Sequence, residues 1–202
     1  MSLLSTGDGR TPSRHVSYDA MSTAGARRAP RVAVMVIAVG GVMVALSSAA
    51  VAQSKRALNE LGRFEPPAYA APLIRPGDPW PVFEEAMQAY ARKQYQQCAD
   101  LLRRAVTVEP DDAAANVFLA SALMMTDEVG EAEDRAGVAV AAGQTAYERT
   151  ARFVLAKASI RLGKLDAADR ELTTLAAGAD HFALEAAGLL PRVRALQKRP
   201  RE

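Results

Sequence analysis

Residues 113–132 read AAANVFLASALMMTDEVGEA. Asp111 or Asp112, just before this stretch, can cap a helix that runs to near Thr126, and a second helix starts at about Glu128. Ala120 and Ala132 stand 12 residues apart in it. Small side chains let two helices approach closely, so this pair marks the contact within one helical hairpin. The same spacing of 12 separates Ala86 from Cys98 and Ala156 from Ala168, and the three pairs are offset by 34 and 36 residues. A period of about 34 is that of a repeated helix–turn–helix unit.

Signals on either side fit this frame. Asp78-Pro79 provides an N-cap and a first-turn proline for a helix reaching about Lys93. Its partner extends from Tyr95 to Val108 and is halted by Pro110. The helix from Glu128 ends at Gly143, a left-handed C-cap. Thr145 with Glu148 forms a capping box that opens a long helix to Gly163. Leu165 to Ala177 follows and stops at Gly178, and Asp180 caps a last helix, His181 to Leu196, interrupted near Pro191. That helix carries Phe182, Leu184, Leu189 and Leu190 on its inner side, as expected of a terminal helix that closes the open apolar face of a repeat stack.

On these residues the chain resembles the tetratricopeptide repeat (TPR) family over roughly residues 79–178. Ala86, Tyr95, Cys98, Leu102, Ala105 and Pro110 match its repeat positions in the first unit. Leu119, Ala120, Leu123, Val129 and Ala132 match in the second, and Leu155, Ala156, Gly163, Leu165, Ala168 and Leu172 in the third. The sequence departs from the family pattern at Glu85, Asn116 and Arg152 and lacks the closing proline in the second and third units. The resemblance implies an all-α solenoid of three hairpins plus a C-terminal capping helix, spanning residues 79–196, with a short tail at 197–202. It also implies a concave face, lined by the first helix of each hairpin, that binds a protein or peptide. The repeat frame maps Phe83, Met87, Tyr90, Val117, Ser121, Met124, Phe153, Lys157 and Arg161 to that face. Its methionines suit adaptable apolar contact, and Lys157 and Arg161 suit an acidic group or a C-terminal carboxylate.

Composition agrees with helices: aromatic residues are only 5% of the chain, whereas Ala, Leu and Val, which fill helix–helix contacts, are abundant. Residues 53–202 hold 20 basic and 21 acidic side chains, so the main domain offers no concentrated positive field for nucleic acid. Cys98 is the only cysteine, which excludes an intramolecular disulfide and a Cys-rich zinc site, and its frame position makes it a packing residue. His15 and His181 have no metal-ligand spacing, and the acids Glu84, Glu85, Asp127, Glu128, Glu131, Glu133 and Asp134 read as solvated helix faces. Neither a phosphate-binding glycine loop nor a nucleophile elbow is present. No cofactor, metal or catalytic residue is expected, and the reading is that of a non-enzymatic interaction scaffold, with an enzyme whose groove carries no recognisable motif as the alternative of another class.

The N-terminal part is a targeting or anchoring device. Residues 1–31 carry five Arg against Asp8 and Asp19 and have no apolar periodicity, so a disordered basic tail is expected. Residues 32–52, VAVMVIAVGGVMVALSSAAVA, contain no charge and as a helix would span roughly 31 Å, enough to cross a hydrocarbon core of about 30 Å. Arg27, Arg28 and Arg31 before this run place the rest of the chain outside the cytoplasm. Ala50-Val51-Ala52 before Gln53 equally fits a signal-peptide cleavage site, and Met21 is an alternative start. Retained inner-membrane anchor and cleaved, periplasmic or secreted product are both open. Some bacterial membrane proteins of similar layout resemble anti-sigma regulators, but residues 1–31 have none of the cysteines of their zinc segment. A permanent envelope subunit is a further alternative. Residues 53–78 open with SKRALNELG, one or two helical turns, and continue through Pro66, Pro67, Pro72 and Pro76 as an extended spacer. Tyr69, Leu73 and Ile74 in it either dock on the first hairpin or remain loosely ordered.

Overall fold

The computed structural model of the chain describes residues 51–69 and 81–198. The basic tail, the apolar run up to residue 50, and Leu73, Ile74, Asp78 and Pro79 lie outside the described residues. Among those described there is no strand, and no helix is long and apolar enough to cross a membrane.

Helix α1 covers residues 51–61. Seven helices follow: α2 (Pro81–Ala91), α3 (Tyr95–Val108), α4 (Ala113–Met125), α5 (Val129–Ala141), α6 (Glu148–Arg161), α7 (Leu165–Ala176) and α8 (His181–Gln197). Each of these seven packs on the next, making hairpins α2/α3, α4/α5 and α6/α7 with α8 closing the stack; α4 also touches α6, and α6 touches α8, so first helices form an inner layer. This is the solenoid expected from the 34–36-residue frame. The reason is visible at its small pairs: Ala86, Cys98, Ala120, Ala132, Ala156 and Ala168 are all 0% exposed. Helix α4, in the middle, has every residue from Ala115 to Met124 buried, which is why its sequence is apolar on all sides.

The three hairpin turns share one geometry. Lys93, Asp127 and Gly163 have φ of 61°, 69° and 72°. The amide of the following residue donates to the carbonyl five back in each: Gln94 to Ala89 (2.9 Å), Glu128 to Leu123 (3.0 Å) and Lys164 to Ser159 (2.8 Å). This Schellman closure satisfies the free carbonyls at the end of one helix and reverses the chain into the next.

Links between hairpins are individual. Asp112 caps α4 by accepting from the Ala115 amide at 2.5 Å, and the buried Asn116 ties the loop before it by donating to the carbonyls of Pro110 (2.7 Å) and Asp112 (2.8 Å). Gly143, at φ 82°, ends α5 as expected. The Thr145–Glu148 capping box does not form: Thr145 Oγ1 accepts from the Tyr147 amide two residues on, Tyr147 holds the cap position, and the Glu148 carboxylate turns to Arg152 at 3.0 Å. The Tyr147 ring, held edge-on to Phe118 at 6.0 Å, fixes this start. Before α8, Arg149 donates to the Leu175 carbonyl (2.9 Å) and to Asp180 (2.7 Å), whose other role is to cap α8 through the Ala183 amide (3.0 Å). A Cβ on Gly178 would lie 2.4 Å from the Arg149 guanidinium, so glycine here makes room for that clamp.

Three further expectations are corrected. Helix α8 is continuous through Pro191, because Pro191 and Ala187, whose carbonyl loses its donor, are both exposed and water can serve that carbonyl. Leu184 points outward at 78% exposure, whereas the expected Phe182, Leu189 and Leu190 do pack inward, joined by Ala183, Ala186 and Val193. The acids at the start of α5 are ion-paired rather than merely solvated. Arg103 of α3 meets Glu128 and Glu131 at 2.6 Å each, Asp127 pairs with Arg161, and Glu133 with Lys164.

Candidate functional site

The inner face of the stack is occupied by the chain's own residues 61–69. Helix α1 ends with the Gly62 amide donating to the Leu58 carbonyl at 2.7 Å, and Leu61, 3% exposed, packs with Phe153, Ala156 and Ile160 of α6. Gly62 passes against Arg161, whose Cγ would lie 2.4 Å from a Cβ at that position. The chain then runs without helix or strand from 63 to 69, toward the first two hairpins. Lys157 Nζ donates to the Arg63 carbonyl at 2.9 Å, and the Tyr90 hydroxyl to the Pro67 carbonyl at 3.0 Å. Phe64 packs against the apolar clusters of both ends of the stack, and Tyr69 sets its ring edge-on to Phe118 at 5.4 Å. Phe118 in turn meets Tyr90 at 5.3 Å, and Tyr90 meets Tyr95 at 5.6 Å. Beside this segment a cleft of about 860 Å³ stays open, bounded by residues 63–69 and by Tyr90, Ala91, Lys93, Tyr95, Met125, Phe153, Lys157 and Glu185.

Of the nine residues mapped from the frame, Tyr90, Phe153 and Lys157 line this cleft, and Arg161 lies at Gly62, donating to the Met124 carbonyl (3.0 Å) and to Asp127. Phe83 is half-buried against the core. Met87 and Met124 belong to the core, Ser121 is fully buried with its hydroxyl on the Val117 carbonyl at 2.8 Å, and Val117 faces Ala139 and Ala151. The frame matched Tyr95 as a repeat position but not as a residue of the inner face, and it did not single out Phe118, Met125 or Glu185, nor the 61–69 segment as an occupant; within that segment only Tyr69 had a docking alternative. The expected spacer is therefore, over residues 61–69, part of the domain's inner surface.

Electrostatics set Lys157 apart. It is 7% exposed, its ammonium stands 5.3 Å from the Phe153 ring centre, and no carboxylate among the described residues pairs with it. Burial lowers its pKa from the ordinary lysine value, with Glu185 opposing and Arg192 adding to that shift. Burial likewise raises the Tyr90 phenol, which keeps it a donor. The Cys98 thiol is pushed up to about 12 by burial, so at neutral pH it is protonated and a poor nucleophile. No group of three or more potential metal ligands occurs among the described residues. What the site offers is two side-chain donors aimed at main-chain carbonyls, between aromatic rings.

No protein-family model matches the chain, and no curated protein matches it. Solved structures do. The first TPR of Spaghetti (RPAP3) bound to the HSP90 peptide SRMEEVD superposes with a TM-score of 0.52 at 19% identity, covering 58% of this chain and 91% of that one. The NMR structure of the first TPR domain of human RPAP3 gives 0.49 at 20% identity, over 57% and 89%. Over 58% of its length the chain therefore shares the fold of the first of these, a TPR domain.

Proposed function

We propose that this chain is a non-enzymatic interaction scaffold that holds an extended polypeptide on the inner face of its TPR-like stack, tethered to a membrane through residues 32–52 with the helical domain outside the cytoplasm. The observation that carries the binding reading is the pair Lys157–Arg63 and Tyr90–Pro67, side-chain donors reading the carbonyls of a non-helical segment. Main-chain carbonyls are common to every peptide, so such donors give grip, and the rings of Phe118, Tyr95 and Phe153 beside them give preference for apolar side chains. A solved TPR domain of the same fold carries a peptide, SRMEEVD, which supports the same use here. The tether rests on the uncharged length of residues 32–52 and the arginines before it.

The test is a photo-cross-linking residue placed at Lys93, on the rim of the cleft, or at Thr107, on the outer helix α3, in the full chain within its membrane. Polypeptide adducts from position 93 that are absent from 107, and that fall when Tyr90→Phe is added, are expected. Equal labelling from both faces would discard the groove as the binding surface. N-terminal sequencing of the same preparation addresses the tether: a start at Gln53 removes it.

A further inference from the structure

Resting on the peptide-binding reading, we infer that residues 61–69, LGRFEPPAY, are a built-in ligand of the groove, and that the partner is an extended strand of the same chemistry, prolines flanked by aromatic residues, which must displace them.

The segment is held as a ligand is held. Its contacts come from three of the inner helices: Lys157 and Phe153 of α6, Phe118 of α4 and Tyr90 of α2. Two of them are hydrogen bonds to its carbonyls, and two are made by rings at Phe64 and Tyr69. Pro66 and Pro67 have no amide hydrogens to satisfy and restrict the backbone in advance, so docking leaves few donors unpaired and costs little ordering entropy. Lys157 is the second, independent observation. A buried ammonium with no ion-pair contact among the described residues, facing Glu185 and Arg192 only at longer range, is a liability for folding and is worth keeping where it serves recognition. It has three N–H groups, of which the Arg63 carbonyl takes one, leaving capacity for a carbonyl or carboxylate of an incoming strand.

Covalent attachment makes this ligand hard to displace. Residues 70–80 join it to α2, and a short connection gives an effective concentration on the order of millimolar. If the attached and free strands bind equally, with a dissociation constant of about 1 μM, the attached copy weakens the free one roughly 1,000-fold. The groove is then selective for partners that bind better than its own segment or arrive at high local concentration.

The experiment measures binding of labelled LGRFEPPAY to the full chain and to a full-chain Phe64→Ala, Tyr69→Ala variant, with the helical circular dichroism of each as control. The variant is expected to bind the peptide at least about 100-fold more tightly than the parent, and to lose that gain when Tyr90→Phe and Lys157→Gln are added. Equal affinity for parent and variant, or loss of helicity in the variant, overturns the inference, the latter because the segment would be core rather than ligand. A second measurement needs no disruptive change: Tyr90→Phe alone is expected to speed amide exchange in residues 61–69 while α3 and α5 keep their protection, and uniform change across the domain counts against the proposal. Unrelated proline-bearing peptides separate the two readings. If the variant takes them but not LGRFEPPAY, the peptide-binding function stands and the built-in ligand falls; if it takes none, both fall.

Discussion

At the scale of single residues, the hairpin turns show where the sequence departs from its own best solution. The left-handed position is held by Lys93, Asp127 and Gly163 in turn. A side chain there costs about 1–2 kcal/mol, partly offset by the roughly 0.5–1 kcal/mol more entropy that glycine loses on folding. Lys93→Gly is therefore expected to stabilise the domain by about 0.5–1 kcal/mol, a rise of roughly 2–4 °C in melting temperature. Asp127→Gly relieves the same backbone cost but removes the pair with Arg161, so its net effect is expected near zero. Thermal melts of the two variants check the contrast, and a destabilised Lys93→Gly would refute the account of the turn. The equivalence of these three positions was legible beforehand only as spacing. Ala86, Ala120 and Ala156 announce themselves because close helix contact admits little but a small side chain. Lys93 carries no such mark, since its conformation follows from chain reversal and not from its own preference.

Among the elements, α8 shows why local signals are uneven guides. Its start at Asp180 was readable because an N-cap acts within one turn. Its continuity through Pro191 and the outward turn of Leu184 were not, because these depend on which side of the helix meets α7 and which meets water. The Thr145–Glu148 pair failed for the same kind of reason: Tyr147 is claimed by a distant ring. The docking of α8 has a measurable electrostatic signature. Arg149, hydrogen-bonded to Asp180, holds that carboxyl at about 2, below its ordinary 3.8. A lowered folded-state value means that the unfolded chain binds more protons between those limits. The contribution is thus complete above about pH 4 and is lost as pH falls toward 2. Asp180→Asn keeps a capping oxygen and loses the charge, so the melting temperature of this variant is expected to fall less steeply than the parent's between pH 4 and 2. Glu131, also lowered by its guanidinium partner Arg103, is common to both proteins and cancels in the difference. Parallel pH profiles would remove the Arg149–Asp180 clamp from the account of α8.

For the whole molecule, the sequence made the stack of hairpins legible, whereas the occupation of its inner face arises from contacts across long separations, such as Lys157 to Arg63, 94 residues apart. A proline-bearing stretch has the same composition whether it is solvated or docked, and the repeat frame cannot tell that Phe118, rather than Val117, turns its ring to Tyr69. The division between what folds the domain and what equips it is open to test at Lys157. If this residue serves recognition, replacing it with an apolar side chain of similar length relieves the desolvation of its charge. Exchanges of buried charged groups for hydrophobic ones are often neutral or stabilising by about 1–4 kcal/mol. Lys157→Met gives up one carbonyl hydrogen bond and a cation–π contact with Phe153, each worth about 1 kcal/mol. At pH 7 it is expected to melt at or slightly above the parent, while amides in residues 61–69 exchange faster. The pH dependence has a fixed sign. Because burial depresses the folded lysine's pKa, the unfolded chain binds more protons between that lowered value and the ordinary 10.5, and the parent gains stability as pH rises through this window. The Met variant lacks the gain, so its advantage over the parent shrinks toward pH 10. A large loss of melting temperature in Lys157→Met at pH 7, with the segment as well protected as before, would make the lysine a pillar of the fold and remove the reason to assign it to a ligand.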